Sequence, residues 1–432
     1  MICNNLSVSP EGHLLFAGLD AAELLRRFGS PLYLMDEQRI RQNCQTYYNA
    51  MKAAFGKAAL PLYASKAASF MEMYRIAKSE GLGIDVVSCG EIHTAKKAGF
   101  PMENAYFHSN NKTDADIAFA MENGVGCIVA DHPEEVLAID TIAAEKGITQ
   151  KILLRLTPGI DTHTYEAVNT GKVDSKFGSA IETGQAEEIT KLALGCSHIR
   201  LTGFHCHVGS QVFDSDTFLR SAEIMLQFIA AIREKYGFLA EELDLGGGYG
   251  VRYLESDPEI DIAANIQEVA AFVKEQCKAL NLPLPAIRME PGRSIVADAG
   301  ITLYTVGAVK TIPGYKNYIS VDGGMGDNPR YALYESAYTI CAAEKMKEPC
   351  SVIYDVVGRF CESGDVIQPA VALPASMKRG DILAVLTTGA YNYSMASNYN
   401  RIPRLPIIMI KDGECRIVVR RETLDDIIDC DL

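Results

Sequence analysis

The chain has 432 residues, 48% hydrophobic and 22% charged, with 41 Lys+Arg against 55 Asp+Glu for a formal charge of −14. That is globular composition with material for a large core, and it excludes disordered, collagen-like and low-complexity classes. An acidic balance without a Lys/Arg stripe argues against binding nucleic acid or an anionic membrane through charge, and no run approaches the ~18 apolar residues of a membrane span.

The first apolar run, Leu14–Leu19, is too short for a signal-peptide core and lacks a basic flank. Twelve cysteines lie scattered between Cys3 and Cys430 without a CxxC pair, which points to reduced thiols and a cytoplasmic setting. At roughly 150 residues per domain, two or three domains are expected. From residue 60 to 290 short strand-like runs alternate with longer helix-like ones. The predicted strands are Pro61–Ser65, Gly83–Ser88, Ala105–His108, Gly126–Ala130, Lys151–Thr157, Leu201–Val208, Glu242–Gly246 and Ala286–Glu290. Between them lie amphipathic stretches such as Phe70–Gly81, Glu91–Gly99, Asp114–Gly124, Glu134–Gly147, Thr217–Tyr236 and Ile262–Leu280, several ending in the glycine that stops a helix. This count fits an α/β fold of the (β/α)8 barrel type better than a doubly wound sheet, whose GxGxxG turn is missing. From Ile301 the texture turns β-rich: Ile301–Ile312, Lys316–Asp322, Ser351–Val357, Asp381–Thr387 and Leu405–Ile410 read as a mainly antiparallel β domain, completed by Pro31–Met35 from the N-terminal segment. The expected division is a barrel over 37–297 and a β-sandwich or β-barrel domain from 1–36 with 298–432.

Barrel chemistry sits at the C-terminal ends of the strands. Unusual residues recur there: Lys66, Asp85 with Ser88, His108 and Lys112, Arg155, His205 and His207, Gly246-Gly247-Gly248, and Glu290-Pro291-Gly292-Arg293. Each alone reads as a solvated charge or a satisfied core histidine; together they suggest one rim. The spacing of His205-Cys206-His207 on a strand puts the cysteine on the opposite face from the histidines, so no metal site is expected. Lys66, among small and apolar residues, is a candidate Schiff-base amine with a lowered pKa, the alternative being a snorkelling surface lysine. The glycine run offers backbone N–H groups to a phosphate, or is only a tight turn. Glu290 suits the ring nitrogen of pyridoxal phosphate (PLP), or an ion pair with Arg293. Lysine, phosphate cradle and carboxylate are the three handles that PLP needs.

The motifs Tyr63-Ala-Ser-Lys66-Ala, Gly83-Ile-Asp85-Val-Val-Ser-Cys-Gly-Glu91, His108-Ser-Asn-Asn-Lys112, Thr170-Gly171 with Ser175-Lys-Phe-Gly178, and His205-Cys-His207-Val-Gly-Ser210-Gln211 follow in order. After them come Asp244-Leu-Gly-Gly-Gly248, Glu290-Pro-Gly-Arg293, Asp322-Gly-Gly-Met325, Cys361-Glu362-Ser-Gly-Asp365, Gly389-Ala-Tyr391 and Met395-Ala-Ser-Asn-Tyr-Asn400. In this ordered set the chain resembles the diaminopimelate decarboxylase family, PLP enzymes that pair an alanine-racemase-like barrel with a β domain.

The resemblance implies that Lys66 holds PLP and that His207 stacks on its ring. It implies that Ser210, Gly247, Gly248 and the Glu290, Pro291, Gly292, Arg293 segment contact the cofactor, with Glu290 on the ring nitrogen. Asp85, Arg155 and Tyr391 complete the cofactor side. Arg293, Arg330, Tyr334, Glu362 and Tyr391 fall at substrate positions. Cys361 matches a proton donor that comes from the neighbouring subunit, so a homodimer with shared active sites is implied. As a free thiol Cys361 otherwise reads as a small hydrophobe. Ala68, Cys89 and Tyr331 depart from the residues usual there (Asn, Gly and Pro), and Tyr331 bears on the shape of the substrate pocket. The implied reaction is decarboxylation of meso-2,6-diaminopimelate to L-lysine. The alternatives are a related PLP decarboxylase or racemase acting on another amino acid, and a PLP-binding regulator without turnover.

Overall fold

The computed structural model describes residues 2–160 and 174–432, so the Thr170-Gly171 motif lies outside the described residues. The chain forms two compact units. One comprises Asn43–Gly250 and Ile260–Gly292; the other comprises Met1–Gln42, Val251–Glu259 and Arg293–Leu432.

The first unit is a closed parallel barrel. Its strands are β1 (Leu60–Ala64), β2 (Gly83–Val86), β3 (Ala105–Phe107), β4 (Cys127–Ala130), β5 (Gln150–Thr157), β6 (Ile199–His205), β7 (Glu242–Asp244) and β8 (Ala286–Met289). Neighbours pair in parallel around the ring, β4 closes on β5, and the two-residue strand Ser179–Ala180 adds to the flank of β5. The strands are short and almost wholly buried, because helices cover them outside and side chains fill them inside. Leu62, Tyr106, Cys127, Val129 and Leu153 make that inner filling. The outer helices begin where sequence supplies caps: Thr113 and Asp116 form a capping box for Asp114–Glu122, and Pro133 opens Pro133–Glu145 behind His132. Each predicted strand is present, most of them ending a residue or two before its polar residue, which leaves the chemistry on the following turn.

The second unit is a mixed, mainly antiparallel sheet. Leu32–Asp36 lies antiparallel to Gly300–Leu303 and parallel to Ile407–Ile410, so the N-terminal segment does enter it as a strand. Lys316–Val321 and Cys350–Val357 also pair in parallel. Along Gly300–Ile312 the side chains alternate between two cores, Ile301 and Leu303 in one and Tyr304 and Val306 in the other, so both faces are covered. Val366–Pro374, a nine-residue strand, escaped the sequence reading because Pro369 looks like punctuation. The structure accommodates it at a bulge: Ala370 takes φ +55°, and its N–H donates to Asp355 Oδ1 at 2.9 Å. Among the described residues no helix is long and apolar enough to cross a membrane.

Candidate active site

The C-terminal rim of the barrel gathers carboxylates and histidines. Glu290, one residue past β8, is 7% exposed. Its Oε2 lies 3.1 Å from His205 Nε2 at the end of β6, and its Oε1 lies 2.7 Å from His108 Nε2 just past β3. The second contact has ion-pair distance without hydrogen-bond alignment, leaving both atoms open to another partner. Ligand-type atoms of His108, His205, Asp244 and Glu290 all lie within 4.8 Å of one another. Burial would raise the Glu290 pKa, but the two histidines prevail and hold the carboxyl well below its usual range. Asp244 goes the other way: burial and the Glu290 charge push its carboxyl well above the usual range, while Oδ1 accepts from Gly246 N at 2.9 Å. Burial likewise raises Asp85, on β2, to about 6.

Lys66 stands on the single turn Ser65–Ala67 that follows β1. Its Nζ is 4.0 Å from Asp85 Oδ2, and its side chain is 46% exposed. The desolvated setting expected from its small, apolar neighbours is therefore not what surrounds it. Ser65 and Ala67 turn inward instead, and the intervening residue points to the open mouth. Pro291 O accepts from Ala64 N at 3.0 Å, which fixes the Glu290–Gly292 turn beside the base of Lys66.

The glycine run needs its glycines. A Cβ on Gly247 would sit 2.1 Å from Glu290 O, and one on Gly248, at φ +127°, would sit 2.5 Å from Gly209 O. Gly247 N donates to His207 Nδ1 at 3.3 Å, and Val212 and Gly250 exchange backbone bonds with this loop. The His207–Ser210 turn and the glycine turn are thus laced side by side. Burial, followed by the charges of Lys66 and Arg155, drives the His207 pKa well below its ordinary value, keeping the imidazole neutral. Cys206, inside the strand expected over Leu201–Val208 but one residue past the end of β6, packs against Ser221 Oγ at 3.2 Å. Arg155 is buried on β5, 4.0 Å from Asp131 Oδ1 and 4.3 Å above the ring of Phe177.

The β-rich unit holds a second group. Arg293 and Arg330 are 6% and 5% exposed. The Arg330 guanidinium lies 5.5, 6.0 and 5.7 Å from the ring centres of Tyr253, Tyr334 and Tyr391, and that of Arg293 lies 4.8 Å from Tyr391. Tyr391 adopts φ +60°, a strained backbone for a non-glycine residue. Tyr331 shares the short helix Arg330–Tyr334.

Cys361 and Glu362 are exposed on a turn that is held from below. Asp365, 4% exposed, accepts from Met325 N at 2.6 Å and from Phe360 N at 2.7 Å, while Cys361 N donates to Asn400 Oδ1 at 2.8 Å. Two motifs that carried no chemistry of their own, around Met325 and Asn400, thereby support the Cys361–Asp365 motif. Asp244, Asp365 and Tyr253 were not singled out as site residues. The first two stand inside quoted motifs, whereas Tyr253 lies in an irregular segment with no periodicity to mark it.

The family described as pyridoxal-dependent decarboxylase, pyridoxal binding domain, matches residues 38–297. The diaminopimelate decarboxylase of Bacillus subtilis is 44% identical over 421 residues, 98% of this chain and 95% of that protein. The crystal structure of diaminopimelate decarboxylase from M. jannaschii in complex with L-lysine superposes with a TM-score of 0.91 at 31% identity, covering 100% of this chain and 98% of that one. The Helicobacter pylori enzyme, also with L-lysine, gives a TM-score of 0.86 at 31% identity over 95% of this chain and 98% of that one. With barrel, β domain and motif order all shared across nearly its whole length, the chain belongs to the diaminopimelate decarboxylase family of pyridoxal-dependent decarboxylases.

Proposed function

We propose that this chain is a PLP-dependent carboxy-lyase that converts meso-2,6-diaminopimelate to L-lysine and carbon dioxide, the last step of lysine biosynthesis by the diaminopimelate route. The observation that carries the reading is Glu290, a carboxylate buried at the barrel mouth within 3.1 Å of His205 Nε2 and 2.7 Å of His108 Nε2. An anion there keeps a pyridine nitrogen protonated.

The mouth suits pyridoxal phosphate. Asp85 Oδ1, His108 Nε2 and Glu290 Oε1 are buried without a hydrogen-bond partner among the described residues, and the glycines let their turn pack directly against Glu290 O and Gly209 O beside them. Lys66 would carry the cofactor covalently, His207 would lie against the ring, and Glu290 would take the ring nitrogen. Ser210, Gly247, Gly248 and the Pro291–Arg293 turn would hold the phosphate, with Asp85 and Arg155 on the same barrel rim, and Tyr391 is a further cofactor contact by the resemblance. Bound PLP supplies an electron sink for the pair left when carbon dioxide departs. This chain's own groups do the rest. Asp85 faces Lys66 at 4.0 Å, and His207, its pKa driven down by burial, packs without adding a cation near the ring. Arg293 and Arg330 take carboxylate, with Tyr334 and Tyr391 as walls. Glu362 takes ammonium, and Cys361 delivers a proton to the carbon that lost its carboxylate.

Exposure of Cys361 and Glu362 supports their being supplied to a second copy's site, hence a homodimer. A cytoplasmic setting belongs to the same reading and is supported by twelve free thiols. The cofactor domain of this reading, 37–297, contains the barrel unit Asn43–Gly250 and Ile260–Gly292, while Val251–Glu259 inside that range belongs to the β-rich unit. Purified protein incubated with PLP and meso-diaminopimelate should release carbon dioxide and lysine in equal amounts, and turn over L-lysine, L-ornithine and D-lysine far more slowly. Faster turnover of one of those, or none of any, would overturn the assignment.

A further inference from the structure

Arg293 and Arg330 share one phenol. Arg293 Nη1 donates to Tyr253 Oη at 2.7 Å, and Arg330 Nη1 reaches the same oxygen at 3.5 Å. Both guanidinium carbons also lie near the Tyr253 ring centre, at 5.8 and 5.5 Å. Two like charges gathered this closely repel unless something lies between them. Tyr253 is that element, and it is fixed. It is 6% exposed and its ring meets Tyr338 edge-on at 5.3 Å. Its N–H donates to Asp257 Oδ2 at 2.8 Å, and its carbonyl accepts from Thr339 Oγ1 at 2.8 Å.

A phenol oxygen has two lone pairs and one proton. The two guanidiniums occupy the lone pairs, so the proton must be directed elsewhere. Among the described residues no acceptor meets it, no carboxylate pairs with Arg330, and Arg330 Nε is buried without a partner. A buried hydroxyl proton converging with buried cations calls for an anion from outside the protein.

We propose that Tyr253 is a specificity-determining residue: it sets the spacing of Arg293 and Arg330 and donates its own O–H to the substrate carboxylate they bind. The inference rests on the substrate role of the arginines. Its consequence is selectivity, because a site built from three donors rejects an amino acid without a carboxylate to place there.

The test is Tyr253→Phe in the PLP-loaded enzyme, a change that keeps the packed ring and so keeps the fold. The expected result is a KM for meso-diaminopimelate raised by about 10- to 100-fold, with kcat and melting temperature little changed. Arg330→Gln should raise KM comparably, and Tyr253→Phe should add little in that background. If Arg330→Gln raises KM while Tyr253→Phe does not, or if Tyr253→Phe lowers the melting temperature and kcat with KM unmoved, the proposal is wrong. If Arg330→Gln itself leaves KM unchanged, the substrate role of the arginines is what fails.

Discussion

The two ends of the barrel treat buried charge in opposite ways. At the N-terminal end Glu242 receives Lys151 Nζ at 2.5 Å and Tyr106 Oη at 2.8 Å, with Arg288 Nη2 at 3.3 Å. Arg288 also donates to Tyr106 Oη at 3.0 Å and Ala58 O at 2.6 Å. Burial works to raise Glu242, yet Arg288 and Lys151 outweigh it and the carboxyl is lowered. At the C-terminal end Asp85, Asp244 and Glu290 are as deeply buried, but each keeps an oxygen without a hydrogen bond, and burial raises Asp85 and Asp244. A completed network serves the fold; an incomplete one is held at a cost in stability and is available to a ligand.

The sharpest way to break this contrast is a matched pair of isosteric changes. Glu290→Gln should lower kcat by about 10³-fold while leaving the urea midpoint near wild type. Glu242→Gln, which strands the buried Arg288 and the half-buried Lys151, should cost about 3 kcal/mol of stability and leave kcat within a factor of about 2. Equal effects on both properties at both ends would erase the distinction. Next in size, Cys361→Ala should slow turnover about 10²-fold yet bind PLP normally by absorbance. Unchanged turnover would remove Cys361 from the chemistry. Asp365→Asn replaces one acceptor of two backbone N–H groups by a donor, so the Cys361 turn should loosen. We expect about a tenfold fall in kcat, absent when the same change is made in Cys361→Ala; persistence there would make Asp365 merely structural.

The smallest effect is on stability against pH. The Asp85 carboxyl is raised by burial from 3.8 to about 6, so the folded chain binds more protons than the unfolded one between those values. Its contribution to stability therefore falls as pH rises through that window. Apoprotein carrying Asp85→Asn should be more stable than wild type above about pH 6 and show no gain below about pH 3.8. Denaturant midpoints across that range would show the crossover, and a constant difference would contradict it.

Much of this was legible in the chain. All eight barrel strands announced themselves, because short apolar runs ending in Lys66, Asp85, His108, His207 or Glu290 are what a parallel barrel with chemistry on its rim must look like. The helix Glu37–Phe55 did not, since its buried stripe is diluted by Gln, Asn and Tyr. Pairing escaped for a different reason. Whether Glu242 or Glu290 is the satisfied carboxylate depends on partners 85 to 182 residues away, Tyr106 and Lys151 for one and His108 and His205 for the other. Local pattern carries no such information. Tyr253 is the clearest case, because its significance exists only once Arg293 and Arg330 are folded around it.

The most direct measurement is reductive trapping. PLP-loaded protein treated with borohydride and mapped by peptide mass should carry one pyridoxyl group per chain, on Lys66, and Lys66→Ala should carry none. A label on another lysine, or its absence from wild type, would contradict the account at its root.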